Sequence, residues 1–422
     1  MKMNCFIHKR LRVNKLQSPF QLPLFYKAPD SLEMQLALKE KKIQRSKPQK
    51  HFKAFDLFCG CGGISCGLKL AGFNLLGGLD CEEKYISSYI TNFSSECSFN
   101  KDILTLSNSF LTDHFSLRPF DLDLLAGGPP CQGFSKNVPR SQRTVDSDNN
   151  VLVNSFISFC EFTKPKAFLM ENVAEMRKGF GAHYTHTILK RLSNKGYQID
   201  HEVLNSADFG VPQNRRRAFF IGIHKDFSTN CDSFFNDVLF ASVRSPSSFL
   251  PETVTVWDAI SDLPSLKDGQ GQSPASYEKR PASTYQIWAR NGSGRLLNHV
   301  ARKLTNIQKQ RYEHLNPGEG IKDLPDHLRP KSGYSGAYGR LKRNMLAPTI
   351  TRWVFHPGSG RYGHPNDRRV ITIREAARLQ GFPDWFEFSG SYCDQAGQVG
   401  NAVPPKLIEF LARQIKHFLA SQ

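Results

Sequence analysis

The sequence predicts an α/β protein built on a doubly wound, mostly parallel sheet, with a smaller lobe inserted late in the chain. Three observations lead there. From residue 53, short apolar runs alternate with amphipathic stretches in β-α-β-α order. After His224 that rhythm stops, residues 224–366 turn Gly-, Pro- and Ser-rich, and helical pattern resumes at 372–380 and 405–419. At 422 residues, the chain is long enough for one large domain with a major insertion.

Each element has a local reason. Residues 53–58 read as a buried strand, followed by a glycine-rich turn and a helix to about residue 71. Residues 74–79 form the second expected strand and 83–93 the second helix. Further strands are expected at 121–125, 167–170 and 218–223, with helices at 151–162 and 183–194 between them. The organisation that follows is a basic N-terminal extension (1–50), a catalytic body (51–223), an inserted lobe (224–366) and a C-terminal segment (367–422) that returns to the body. Within the extension, residues 31–45 suit a helix with Leu32, Leu36 and Ile43 near one face. No internal repeat is evident.

Composition narrows the function classes. Hydrophobic residues make up 39% and charged residues 22%, too apolar for a disordered chain. No apolar run approaches the roughly 20 residues that span a bilayer. The N-terminus lacks the apolar stretch, roughly 7–15 residues, of a secretory signal. Membrane and secreted classes are excluded, and a cytoplasmic site is expected. The formal net charge is +18, which makes a polyanion the first partner to consider. That charge is uneven: residues 1–50 carry a net +9 and 224–366 a net +7, while 51–223 and 367–422 carry +1 each.

Ten cysteines are too few for a disulfide scaffold. Cys59, Cys61 and Cys66 form the tightest cluster, but no second C-x-x-C or His pair stands at zinc spacing, so no metal is expected. His183 and His186 share a helix face without a third ligand and read as surface or structural histidines.

Two loops carry the chemistry. The first strand runs into Phe58-Cys59-Gly60-Cys61-Gly62-Gly63, where glycines let a ligand approach a helix N-terminus, although the spacing is not G-x-G-x-x-G. Asp80 ends the second strand, where it would accept hydrogen bonds from a ribose diol, and Asp102-Ile103 follows at a plausible third-strand terminus. Helix capping is the alternative role for both aspartates. The second loop, Gly127-Gly128-Pro129-Pro130-Cys131-Gln132-Gly133-Phe134-Ser135, holds a cysteine in a conformationally defined turn. A free thiol with pKa near ~8.5 needs a positive neighbour to act as a nucleophile, and Arg215 and Arg217 can supply one. Glu171 sits at a strand's C-terminal end, where doubly wound folds place their sites.

The ordered set FDLFCGCGG, GGPPCQGFS, ENV, QNRRR and GQVGNAVPP resembles the DNA (cytosine-5) methyltransferases, most like the bacterial modification enzymes, over residues 53 to about 410 apart from the poorly patterned middle. The resemblance implies a Rossmann-like fold using S-adenosylmethionine. Phe58, Gly60, Gly62 and Gly63 would line its pocket, Asp80 would hold the ribose, and Asp102 with Ile103 would meet the adenine. Cys81, Pro130 and Leu152 would add contacts, and Asn401, Ala402 and Val403 would close the pocket. Cys131 would attack C6 of a flipped cytosine, Glu171 would bind its N3 edge, and Arg215, with Arg217 near, would position the base. The lobe at 224–366 corresponds to the family's target-recognition region, with Arg340, Lys342, Arg343, Arg352, Trp353 and Arg361 suited to DNA contacts. Residues 368–383 resemble the segment that supports this lobe and read as structural.

Cys81 departs from the bulky residue many relatives place against the adenine, and Asn149-Asn150-Val151-Leu152 replaces a frequent Arg-Asn-x-Leu. The expected partners are double-stranded DNA and, in a restriction-modification system, a cognate endonuclease; no membrane partner is expected, and the chain is expected to act as a monomer. The alternatives are a tRNA cytosine-5 methyltransferase of the same fold, and a DNA-binding regulator with secondary methylation activity. A nicotinamide oxidoreductase is disfavoured by the glycine spacing and gives Cys131 no role.

Overall fold

The computed structural model describes residues 51–130, 151–177, 182–227, 234–235, 253–331 and 336–420. Cys131 and the helix expected at 31–45 lie outside these residues. The described strands are β1 (Lys53–Leu57), β2 (Asn74–Asp80), β3 (Ser98–Asn100), β4 (Leu124–Gly127), β5 (Ala167–Val173), β6 (Tyr197–Asn205) and β7 (Arg216–His224). They form one sheet in the order β3-β2-β1-β4-β5-β7-β6. All pairings are parallel except those of β7, which runs antiparallel to both β5 and β6.

The central strands are mostly apolar because helices cover both faces of the sheet, with Asp56 in β1 and Glu171 and Asn172 in β5 as the buried polar exceptions. β1, β4 and β5 are buried over almost their whole length. The helices against them are α1 (Gly63–Leu70), α2 (Glu83–Phe93), α3 (Phe110–Phe115), α4 (Val151–Thr163) and α5 (Ala182–Ser193). One expected feature needs adjustment, and one strand was not expected. β3 is only three residues long, too short to show alternation, and ends at Asn100, two residues before Asp102. β6 is an edge strand, and its polar-rich sequence Tyr-Gln-Ile-Asp-His-Glu-Val-Leu-Asn hides the pattern, since one side of an edge needs no apolar cover.

Beyond the sheet come α6 (Val256–Ile260), α7 (Thr284–Arg290), α8 (Asn306–His314), α9 (Ile373–Leu379), α10 (Tyr392–Asn401) and α11 (Pro405–Ala420). One hydrophobic core runs from Val256 through Val399, so α9 and α10 share it with α6 to α8. α11 instead joins the sheet core, with Leu407, Ile408, Leu411, Ala412, Ile415 and Leu419 buried on one stripe. That stripe lies along α1. A Cβ at Gly67 would sit 2.5 Å from Ile408 Cβ, so this glycine sets how closely the two helices approach.

A buried ionic lattice holds the second core. Arg378 donates to both Asp262 and Asp384, Arg374 donates to the carbonyls of Leu297, Pro383 and Phe386, and Arg369 pairs with Glu375 at 2.8 Å and Asp367 at 2.7 Å. Charges this deep persist only when paired and fully hydrogen-bonded. The structural role expected of residues 368–383 is what these bonds provide. Among the described residues, no helix is long and apolar enough to cross a membrane.

Candidate active site

Strand order reverses between β1 and β4, so the chain leaves their C-terminal ends in opposite directions and opens a crevice there. A cavity of about 630 Å³ occupies this position. Its lining includes Phe58, Gly60, Gly63, Asp80, Cys81, Asp102, Ile103, Pro130, Leu152, Asn401, Ala402 and Val403, together with Glu171, Arg215 and Arg217. Of the expected cofactor residues, Gly62 alone is not in that wall; it shapes the loop from behind, with φ of 104° and a would-be Cβ only 2.4 Å from the Phe93 ring.

One end of the cavity suits a nucleoside. Asp80 Oδ2 accepts from Gly60 N–H and Oδ1 from Glu82 N–H, both at 2.9 Å, so the carboxylate pins the β1–α1 loop. Each oxygen keeps a lone pair for a ribose hydroxyl. Burial raises the Asp80 pKa above the usual carboxylate value, against the pull of these N–H groups. Asp102 caps the following 3-10 turn by accepting from Leu104 N–H at 3.0 Å, while Ile103 is buried beside it. The capping role considered for Asp102 is thus realised in a residue that also lines the cavity. Phe58 holds a left-handed backbone, φ 59°, a strained conformation for an aromatic residue, at the point where the loop turns into the cavity.

The opposite end carries the acid and base groups. Glu171 is at the end of β5 and Arg217 near the start of antiparallel β7, where the ladder pairs Glu171 with Phe219 and Val173 with Arg217. This diagonal places Arg217 Nε 3.1 Å from Glu171 Oε1. Burial pushes the Glu171 carboxyl up, while Arg217 and then Arg215 pull it down. Asn172 Nδ2 donates to the Pro129 carbonyl at 3.0 Å and so fixes the proline loop that leads to Cys131. A Cβ at Gly128 would come 3.4 Å from Glu171 Oε2, so the loop passes directly over the carboxylate.

Arg215, the residue expected to position the base, also lines the cavity. It is buried, and its Nη1 donates to the carbonyls of Ile350 at 3.1 Å and Gly400 at 3.3 Å. Its Nε has no partner among the described residues, and burial lowers its pKa to about 9. Arg217, not Arg215, makes the ion pair with Glu171. Gln213 extends the same junction, donating to Leu379 O and Gln380 Oε1 and accepting from Ile350 N–H.

Several of the residues expected to meet DNA are placed otherwise. Arg340 is 2% exposed and donates to the carbonyls of His364, Leu315 and Pro365, which makes it a structural staple. Arg361 donates to Gly318 O, and Arg343 lies over the Trp257 ring and donates to Asn366. Lys342, Arg352 and Trp353 are exposed, and Arg352 also lines the cavity. Sequence reasoning missed Tyr85, Asn172 and Gln398 in this wall; motif neighbours could have drawn attention to Asn172 and Gln398, whereas Tyr85 lies outside every motif. Cys59, Cys61 and Cys66 are buried thiols whose pKa burial pushes up. His183 and His186 are exposed.

Comparison with known proteins now has a geometry to explain. The family model for C-5 cytosine-specific DNA methylases matches residues 52–417. Type II methyltransferase M.DdeI of Desulfomicrobium norvegicum is 33% identical over 382 residues, covering 86% of this chain and 88% of its own. Type II methyltransferase M.AgeI of Thalassovita gelatinovora is 30% identical over 86% of this chain and 99% of its own. A prophage-encoded DNA modification methyltransferase of E. coli superposes with a TM-score of 0.68 at 27% identity, over 87% of this chain and 99% of its own. The chain belongs to the C-5 cytosine-specific DNA methylase family and is a DNA (cytosine-5) methyltransferase of the bacterial Type II kind.

Proposed function

We propose that this enzyme methylates C5 of a cytosine swung out of a specific duplex sequence, using S-adenosylmethionine and a covalent bond between Cys131 and C6. The observation that carries the reading is the Glu171–Arg217 pair lying under the proline loop that precedes Cys131 in the sequence, at one end of a cavity whose other end has nucleoside-binding chemistry.

The cavity fits the donor. Apolar Phe58, Ile103 and Leu152 suit an adenine, Asp80 a ribose diol, and about 630 Å³ is within the range of cofactor sites. When bound, S-adenosylmethionine supplies the electrophilic methyl group that C5 takes, and becomes S-adenosylhomocysteine. The chain's own residues prepare C5. The Cys131 thiolate adds to C6, and the C5–C6 π electrons shift toward N3, where the Glu171 carboxyl supplies a proton. The resulting enamine is nucleophilic at C5. After transfer, the C5 proton leaves to a base, its electron pair re-forms the C5–C6 double bond, the thiolate departs with the pair of the broken S–C6 bond, and the N3 proton returns to the Glu171 carboxylate. Arg217 orients Glu171 throughout, and the arginine charges favour the thiolate.

In this reading residues 51–223 and α11 form the catalytic body and 224–366 the target-recognition lobe, whose core α9 and α10 share although the sequence assigned them to the body. The partner is double-stranded DNA. A bacterial cytoplasmic site, a monomer, and an endonuclease reading the same sequence belong to the same proposal. The test is duplex DNA carrying 5-fluorocytosine, whose fluorine cannot leave C5 as the proton does. Wild type traps as a covalent adduct and Cys131→Ser does not; equal trapping sinks the nucleophile assignment. Methyl incorporation into tRNA in place of duplex DNA would redirect the substrate.

A further inference from the structure

Three arginines line the cavity, and two are committed. Arg217 is paired with Glu171, and Arg215 is buried on two backbone carbonyls. Arg352 is the third. It is exposed, it comes from the inserted lobe, and its guanidinium has no hydrogen bond or ion pair among the described residues. The Trp353 ring flanks it at 5.3 Å.

Its backbone is nevertheless fixed. The Thr351–Arg352 peptide lies so close to the end of α10 that a Cβ at Gly400 would come 2.2 Å from Arg352 N. Arg215 bolts the same two strands of chain together. Tyr85 shares the cavity wall with Arg352, and its hydroxyl accepts from Asn401 Nδ2 at 2.9 Å. Burial raises the Tyr85 pKa, and the Arg352 charge is the largest influence opposing it, which places the guanidinium near the phenol.

Charge is therefore sorted along the cavity. Asp80 and Asp102 put two carboxylates at the nucleoside end against the single ammonium of Lys101, and a third carboxylate there would be repelled. At the Tyr85–Asn401 wall the Arg352 cation acts on Tyr85 more strongly than the Glu82 carboxylate does, and the N-terminus of α1 has no side-chain cap.

We propose that Arg352 is the counter-ion for the carboxylate of the donor's amino-acid moiety, so that the DNA-facing lobe contributes directly to holding the donor. This rests on the reading of the cavity as an S-adenosylmethionine site.

The test is calorimetric titration of the full chain, without DNA, using S-adenosylhomocysteine and its decarboxylated analogue. Arg352→Met should bind S-adenosylhomocysteine roughly 10- to 100-fold more weakly, as for loss of a charged hydrogen bond. It should bind the decarboxylated analogue as wild type does, and Arg352→Lys should recover part of the loss. Unchanged melting of the variants shows that they fold. Equal weakening for both ligands, or no weakening for either, overturns the proposal. So does lost duplex affinity with donor affinity intact, which would assign Arg352 to a phosphate. If wild type binds neither ligand, the donor reading of the cavity falls first and Arg352's role with it.

Discussion

Glu171 is pulled in two directions, up by burial and down by two arginines, and burial is the largest influence. A carboxyl with a raised pKa keeps its proton to higher pH, so kcat should fall as pH rises through that value. Glu171→Gln should lower kcat by at least ~100-fold and lack that falling limb, with S-adenosylhomocysteine affinity unchanged. A pH–rate series on both proteins checks this. Asp56, directly behind the β1–α1 loop, is a second perturbed carboxyl. Its Oδ2 accepts from Ser65 N–H at 3.0 Å and Oγ–H at 2.7 Å, its Oδ1 has no partner among the described residues, and burial raises its pKa to about 7. The unfolded chain ionises Asp56 near pH ~4, the folded chain only near 7. Stability should therefore decline between those values, by on the order of 4 kcal/mol, and stay low above them. Asp56→Asn should remove that decline in chemical denaturation followed against pH.

At the scale of elements, two contacts set the architecture. Gly67→Ala would drive α1 from α11, because Ile408 Cβ and the Pro405 carbonyl, 2.6 Å from the new Cβ, cannot both retreat. The expected result is a loss of about 1–3 kcal/mol in urea unfolding, with weakened donor binding, since α1 and Val403 share the cavity wall. Asp384→Ala leaves Arg378 and Arg374 under-paired in the second core and should cost about 3–5 kcal/mol in the same assay. The parallel strands were legible in the sequence because strands buried on both faces are almost uniformly apolar. So were Asp80, Glu171 and the C-terminal wall, because each lies in a short motif at an element's end. β6 was not legible, since an edge strand tolerates polar residues. Nor was Arg340's burial, because carbonyl oxygens from three distant residues neutralise its cost and leave no local pattern. The choice between Arg215 and Arg217 depended on the antiparallel register of β7, which spacing does not reveal.

At the scale of the whole molecule, the net +18 divides evenly between residues 1–50 and the rest. Deleting 1–50 should flatten the slope of log affinity for duplex DNA against log salt by roughly 0.9 for each phosphate the extension neutralises, with kcat retained. An unchanged slope would show that those charges stay off the DNA. The cavity has its own consequence for the life of the protein. Residues 400–420 leave the ribosome after every strand of the sheet and the whole second core, yet they wall the cavity and lie along α1. A chain that stops before residue 400 therefore has Glu171 and Arg217 but lacks the wall that Asn401, Ala402 and Val403 supply.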